Sequence, residues 1–321
     1  MRRFYLNNME IVSIIIPVFN ADRYIDRCLS ALQGLNYNKD QYEIIIVDNG
    51  STDKTVAIVK GYLVKLFILP QVTVANLRNF GANQAIGDIF AFIDADCIAP
   101  SSWLLKSVDL LKNEKIGAVG CWYRLPEKTH FFERVWDSHM SSRRLKTGDI
   151  DWIPSGNFIV SKSVFKKIGG FNGALTTSED VDICQRIHLS GLGVFSHPDL
   201  SVIHLGESKN LKQFILKEKW RGEGVLQNVI REFPYIKFNK AIAFTVVTFL
   251  AMFGILVSIG GNDYVFLDVS LLFLLLIPLY LAIKACTLSR QWKYFMPLIF
   301  LFVIYSFARV LSAFNLRVWK K

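Results

Sequence analysis

From Ala241 onward the chain becomes far more apolar than anything before it, and this limits what the whole can fold into. Runs at 241–260, 265–283 and 295–314 each approach the ~20 consecutive apolar residues that a bilayer requires, more than a soluble core of this size absorbs. A multi-pass membrane region is therefore expected at 241–321. The rest of the 321 residues has room for one full-sized domain rather than two equal ones. Flanking charges conflict over orientation. Lys284, Arg290 and Lys293 place the loop before the third run inside, and Arg317, Lys320 and Lys321 ask for the same side after it. Three crossings cannot satisfy both. The third run, which also contains Arg309, is re-entrant, interfacial or an exception to the charge rule.

Upstream, 207–240 is basic and amphipathic. Lys212, Lys217, Lys219, Arg221, Arg231, Lys237 and Lys240 interleave with Phe214, Ile215, Trp220, Val225, Leu226, Val229 and Ile230. Such a segment suits a bilayer interface, apolar face in the acyl boundary and cations at lipid phosphates; a solvated helix covering a sheet is the other reading. The formal charge of +10 calls for an anionic partner. Beside that apolar tail, membrane lipid is the simplest partner, and no nucleic acid is expected. The five cysteines form no C-x-x-C pair, so neither a zinc site nor a disulfide framework is indicated. Residues 1–10 are polar, and the apolar run 11–19 is short, β-branched and broken by Pro17. It reads as a strand, not a signal peptide. The N-terminal domain is thus expected at the cell membrane, facing the cytoplasm.

That domain, 10–206, alternates strand and helix patterns up to about Gly120, an α/β sheet with parallel neighbours. Strands are expected at 12–17, 43–47, 65–69, 89–93 and 116–121, with Ser51 or Thr52 capping a helix over 53–62. Polar clusters end the strands: Phe19 and Asn20, then Asp48, Asn49 and Gly50, then Asp94, Ala95 and Asp96. Ligands of open α/β sheets bind at these carboxyl ends, so all three clusters should share one rim. Residues 122–152 carry aromatic and charged side chains without a period and read as irregular, partly helical. Order returns with a strand at 157–160, helices at 162–168 and 178–190, and short strands near 194–196 and 201–204.

The D-x-D arrangement of Asp94 and Asp96 directly after a strand can share a hard divalent cation, Mg2+ or Mn2+, that grips a diphosphate. Alone it is weak, since Asp is common in such turns, but the motifs around it are ordered. SIIIPVFN (13–20) and EIIIVDNGSTDKT (43–55) come first, then NLRNFG (76–81) and GDIFAFIDADC (87–97). GNFIVSKSVFKKIGGFNGAL (156–175) and SEDVDICQR (178–186) follow. In this order the chain resembles the family 2 glycosyltransferases, inverting enzymes, over about residues 12–206. The resemblance implies a GT-A nucleotide-sugar transferase domain with a Rossmann-like mixed sheet, followed by the interfacial segment and the transmembrane helices.

It also implies roles. Pro17, Phe19, Asn20 and Asp48 would hold base and ribose of a nucleotide-diphosphate sugar donor, although Asp48 could instead cap the next helix. Arg78, placed just before a small-residue helix, would reach a donor phosphate or lie on that helix's surface. Asp94 would bind the ribose or help place the metal, Asp96 would be the direct ligand, and His204 a further one or a structural histidine. Asp180 would be the general base, with Glu179 orienting the acceptor, where position alone suggests only acidic residues at a helix start. Residues 218–222 depart from the Q-x-x-R-W segment of processive members, which argues against polymer synthesis. The acceptor is expected to be lipid-linked or a growing surface glycan. A sugar-phosphate nucleotidylyltransferase is the alternative enzyme, disfavoured because PVFNADRY is not a Gly-rich phosphate loop. A membrane scaffold with a decayed transferase domain is the alternative without activity, disfavoured by the intact Asp94, Asp96 and Asp180.

Overall fold

A computed structural model describes residues 10–232, 240–261 and 264–313. Lys237, Phe314, Arg317, Lys320 and Lys321 of the sequence reading lie outside these residues. So do the side chains of Val225, Leu226, Val229, Ile230, Arg231 and Lys240. The described chain divides into two compact units: residues up to Glu127 with Arg143–Gly206, and Lys128–Ser142 with the residues from Glu207 onward.

The first unit is built on β1 (Val12–Val18), β2 (Tyr42–Asp48), β3 (Lys65–Ile68) and β4 (Ile89–Ile93), followed by β5 (Cys97–Ile98) and β6 (Ile116–Gly120). Then come β7 (Gly148–Asp149), β8 (Asn157–Ser161), β9 (Gly193–Ser196) and β10 (Ile203–His204). Eight strands form one sheet in the order β3-β2-β1-β4-β8-β6-β9-β7, while β5 and β10 pair separately. β1 is buried along its whole length because helices cover both faces, which is why it reads as VSIIIPV rather than alternating. Pro17 fits there for a specific reason. The β4 ladder accompanies β1 only from Val12 to Ile15, so the missing N–H faces no partner on that side.

The expected parallel order holds for β3, β2, β1 and β4. It breaks at β8, which enters antiparallel between β4 and β6. β5 and β7 were not expected; two residues each carry no periodic signal.

Helices α1 (Ile25–Gln33), α2 (Thr55–Val59), α3 (Val74–Gln84) and α4 (Trp103–Leu111) connect the first strands. Between α1 and the sheet lie Ile25, Cys28, Leu29 and Leu32, at the spacing visible in the sequence. Two local expectations change. α2 is not capped by Ser51 or Thr52; Asp53 accepts from the Thr55 N–H at 2.9 Å instead. α3 starts at Val74 because the Thr73 hydroxyl caps it, accepting from the Asn76 N–H. Arg78 is therefore inside this helix rather than before it.

The aromatic stretch contains α5 (Phe131–Ser138) and α6 (Ser141–Arg144), and α7 (Lys162–Lys167) and α8 (Glu179–Leu189) lie close to the expected limits. The second unit consists of α5 with α9 (Leu211–Glu232), α10 (Lys240–Gly261), α11 (Tyr264–Ser289) and α12 (Phe295–Ala313). Val135, Ala282, Cys286, Leu298, Leu301 and Phe302 form its core. Two segments, Tyr264–Ser289 and Trp292–Ser312, are long and apolar enough to cross a membrane, and Val246–Gly261 is a shorter apolar stretch.

Candidate active site

Parallel register carries the ends of β1, β2 and β4 to one rim. Val18 lies opposite Asp48 across β1 and β2, and Ile15 opposite Phe92 across β1 and β4. The three polar clusters therefore line up as expected, beside the strand where the order turns outward from β1 in both directions.

At the first two clusters the side chains lock loops together. Asn20, in the left-handed region at φ 49°, accepts from the Thr52 N–H at 2.9 Å, and its own N–H donates to the Ser51 hydroxyl at 2.8 Å. Asp48 is buried and accepts from the N–H groups of Gly50 and Ser51 through one oxygen and from the Ser51 hydroxyl through the other. Phe19 projects outward, 58% exposed.

Arg78 occupies the centre. Arg78 is 2% exposed, and its guanidinium donates to Asp94 at 2.7 Å through one arm and to Glu179 at 2.8 Å through the other. The Ser155 hydroxyl also donates to Glu179, at 2.7 Å. Burial works against the charge on Arg78, but Asp94 and Glu179 outweigh it and push its pKa up, so the cation is permanent. Arg78 is thus an internal tie between GDIFAFIDADC and SEDVDICQR, not a surface residue. Glu179 and Asp180 open α8 directly after Ser178, whose φ of 65° is left-handed without a glycine. Such strain persists only where surrounding contacts enforce it. Asp180 accepts the Val181 N–H at 2.9 Å.

Asp96 and His204 meet through the β5–β10 pair, where Cys97 lies opposite His204. The imidazole Nε2 is 3.2 Å from the Asp96 carboxylate. Donor atoms of Asp96, Cys97 and His204 all fall within 4.8 Å of one another. One carboxylate and one imidazole suit a divalent ion such as Mn2+ better than Mg2+. Cys97 is the poorest donor of the three, because burial, then Asp96 and Asp94, hold its thiol far above the usual range and keep it protonated. Gly206 lets the chain pass over Asp96; a Cβ there would fall on the carboxylate.

Tyr123, absent from the sequence reading, joins the two halves of the site. Its hydroxyl donates to Asp94 at 3.3 Å, and its ring stacks on His204 at 4.6 Å between centroids and 13° between planes. Burial, then Asp94, raise the phenol pKa far enough that it stays a donor. Gly156 is required beneath it, since a Cβ would strike both the Asp94 carboxylate and the Tyr123 hydroxyl. The Arg144 guanidinium fixes the tyrosine backbone by donating to its carbonyl at 2.9 Å. A signal for Tyr123 existed only in its position just after β6.

Residues 13–169 match the Glycosyl transferase family 2 profile. The chain carries a family 2 glycosyltransferase domain. This glycosyltransferase is 29% identical over 231 residues to Glycosyltransferase AglE of Haloferax volcanii, a match spanning 69% of this chain and 75% of the relative. It is 31% identical over 198 residues to a beta-monoglucosyldiacylglycerol synthase of Nostoc, spanning 57% of this chain but only 42% of that protein. Among solved structures, the Pyrobaculum calidifontis mannosyltransferase PcManGT in complex with GDP-Man and Mn2+ superposes with a TM-score of 0.60. The superposition covers 95% of this chain and 88% of that one at 16% identity. The GT-A fold expected of the glycosyltransferase is the one it has. Glu179, Asp180 and His204 lie beyond the matched segment; the geometry above ties Glu179 to Asp94 through Arg78 and sets His204 beside Asp96.

Proposed function

We propose that this glycosyltransferase is membrane-bound and inverting, moving a sugar from a nucleotide-diphosphate sugar to a hydroxyl of a lipid-linked or surface-glycan acceptor. The observation that carries this reading is the bridge by which Arg78 holds Asp94 and Glu179 at 2.7 and 2.8 Å. It joins Asp94 to the start of α8, the helix whose first turn carries Asp180. The exposed ring of Phe19 offers a stacking face for a nucleobase, with Pro17 setting the turn beneath it. Asp48 and Asn20 act through the loops they lock. Asp94 meets the ribose side of the donor, oriented by Arg78 and Tyr123.

Asp96 and His204 would hold the divalent cation, which when bound neutralises charge on the leaving diphosphate. Asp180 takes the proton of the acceptor hydroxyl as that oxygen bonds to the anomeric carbon. The bond from that carbon to the diphosphate oxygen breaks with inversion, and its electron pair leaves on the nucleotide. Glu179, neutralised by Arg78, fixes the first turn of α8 and hence the aim of Asp180. Donor class and cation are supported by the likeness to a fold that holds GDP-Man and Mn2+. A lipid acceptor is supported by the Nostoc relative's name and by the apolar helices. The domain would occupy 10–206, facing the cytoplasm. Asp180→Asn should abolish transfer while donor binding, followed by titration with labelled nucleotide sugar, stays within about twofold. Full transfer in that variant removes Asp180 as the base.

A further inference from the structure

The charge conflict around the third apolar run has a resolution in the way α12 packs. Arg309, although inside that run, donates to Glu218 of α9 at 3.0 Å. Arg221 donates to the same carboxylate at 2.6 Å. Glu218 is 1% exposed. The surrounding contacts show that the two helices run side by side in the same direction. Leu211 packs against the cluster of Leu298, Leu301 and Phe302. Phe214 and Phe302 both rest on Trp136. Further along, a Cβ on Gly222 would meet Ser312 and Arg309, so the backbones approach closely there.

That pairing argues against α12 as a third crossing, although its length and hydropathy would allow one. Only residues 262 and 263 separate α10 from α11, so a crossing by α10 is returned by α11, and α9 and the start of α12 lie at the same face. From Phe295 to Arg309 a helix advances ~21 Å at 1.5 Å per residue, most of a ~30 Å hydrocarbon core. Were α12 upright, α9 would have to accompany it through that core. Yet α9 carries Lys212 and Lys219 beside the ion-paired Lys217, Glu218 and Arg221, and charged side chains are excluded from lipid unless paired or facing water. Lys212 is exposed. The outer side of α12 is an apolar stripe, with Met296 70%, Phe300 58% and Leu311 47% exposed, and α9 exposes Leu216 and Trp220. Apolar side chains that dip while neighbouring cations stay out describe a helix pair lying in an interface.

We propose that α12 does not cross the bilayer but lies with α9 along one face of it, a docking surface for an anionic leaflet, and that the chain crosses twice, through α10 and α11. This rests on the membrane-bound reading above. With α12 along that face, the charges of Lys284, Arg290 and Lys293 conflict with no third crossing.

The test is labelling of the full-length chain in sealed vesicles of both orientations with a membrane-impermeant maleimide. One added cysteine is placed at a time by Asn262→Cys, Lys293→Cys or Lys320→Cys. All five native cysteines are buried. Expected is that the second and third label from one face and the first from the other, at least tenfold faster than from the opposite side. Labelling at 320 from the face that labels 262 overturns the proposal and leaves the membrane-bound reading intact. Labelling of all three from one face overturns both. An epitope placed after Lys321 and probed with antibody asks the same question without a substitution.

Discussion

Replacing Arg78 with alanine removes the one cation between two carboxylates that have little water to replace it. The Glu179 side chain is 9% exposed and that of Asp94 29%. Breaking a buried pair by removing one partner costs 3–5 kcal/mol, because the remaining charge is left desolvated. Asp94 reaches some solvent, so the lower end applies, ~3 kcal/mol. For a domain of this size each kcal/mol moves the midpoint by about 2–4 °C, so Arg78→Ala should lower Tm by roughly 6–12 °C. The assay is thermal unfolding in a fixed detergent, followed by tryptophan fluorescence. The double variant separates the electrostatic cause from lost packing. Glu179→Gln on its own should lower Tm, since it weakens the tie, but added to Arg78→Ala it should raise Tm by removing a stranded charge. A fall of less than about 2 °C for Arg78→Ala, or a Glu179→Gln loss that adds in full, would refute the view that this guanidinium holds the two motifs together.

Tyr123→Phe keeps the ring on His204 and deletes the hydroxyl on Asp94; a lost hydrogen bond of ~0.5–1.5 kcal/mol predicts a 2- to 10-fold fall in kcat with Mn2+ affinity unchanged. Tyr123→Ala also deletes the stack and should weaken Mn2+ binding in a direct titration, and equal effects of the two variants would mean the stack is idle. Acid stability reports on a different place. Burial works to raise the Glu43 pKa, but Lys65, the Ser13 hydroxyl and the Ile86 N–H overcome it and hold the carboxylate below its usual range. With the folded value depressed, the stabilisation is present above the unfolded pKa and lost as pH falls through the folded one. Glu43→Gln should therefore flatten the drop in Tm between about pH 5 and pH 3, and an unchanged slope would exclude this cluster as its source.

Strands were legible wherever burial made them continuous, and β4 begins and ends at the residues expected. Their polar ends share one rim, because parallel strands deliver their last residues to a common edge. What stayed hidden depends on pairings between distant segments. Arg78 looked like a loop residue because α3 has small and polar residues in place of an apolar stripe, and its start rests on one threonine cap. Tyr123 lies in a stretch without a period, and its place is fixed by Arg124 bridging to Ile203, a pairing no local pattern announces. His204 reaches Asp96 through a two-residue strand.

The direction of β8 accounts for the rest. Had it run parallel to β4, its first residues would emerge at the edge of the sheet away from the ligand rim. Running antiparallel, it starts where β4 stops, with Ile93 opposite Asn157 and the Asp94 N–H donating to the Gly156 carbonyl at 3.3 Å. That reversal places Ser155 on Glu179 and Gly156 under Tyr123. The family motifs name the residues, whereas one reversed strand decides that Asp94 and the start of α8 can be tied by a single arginine.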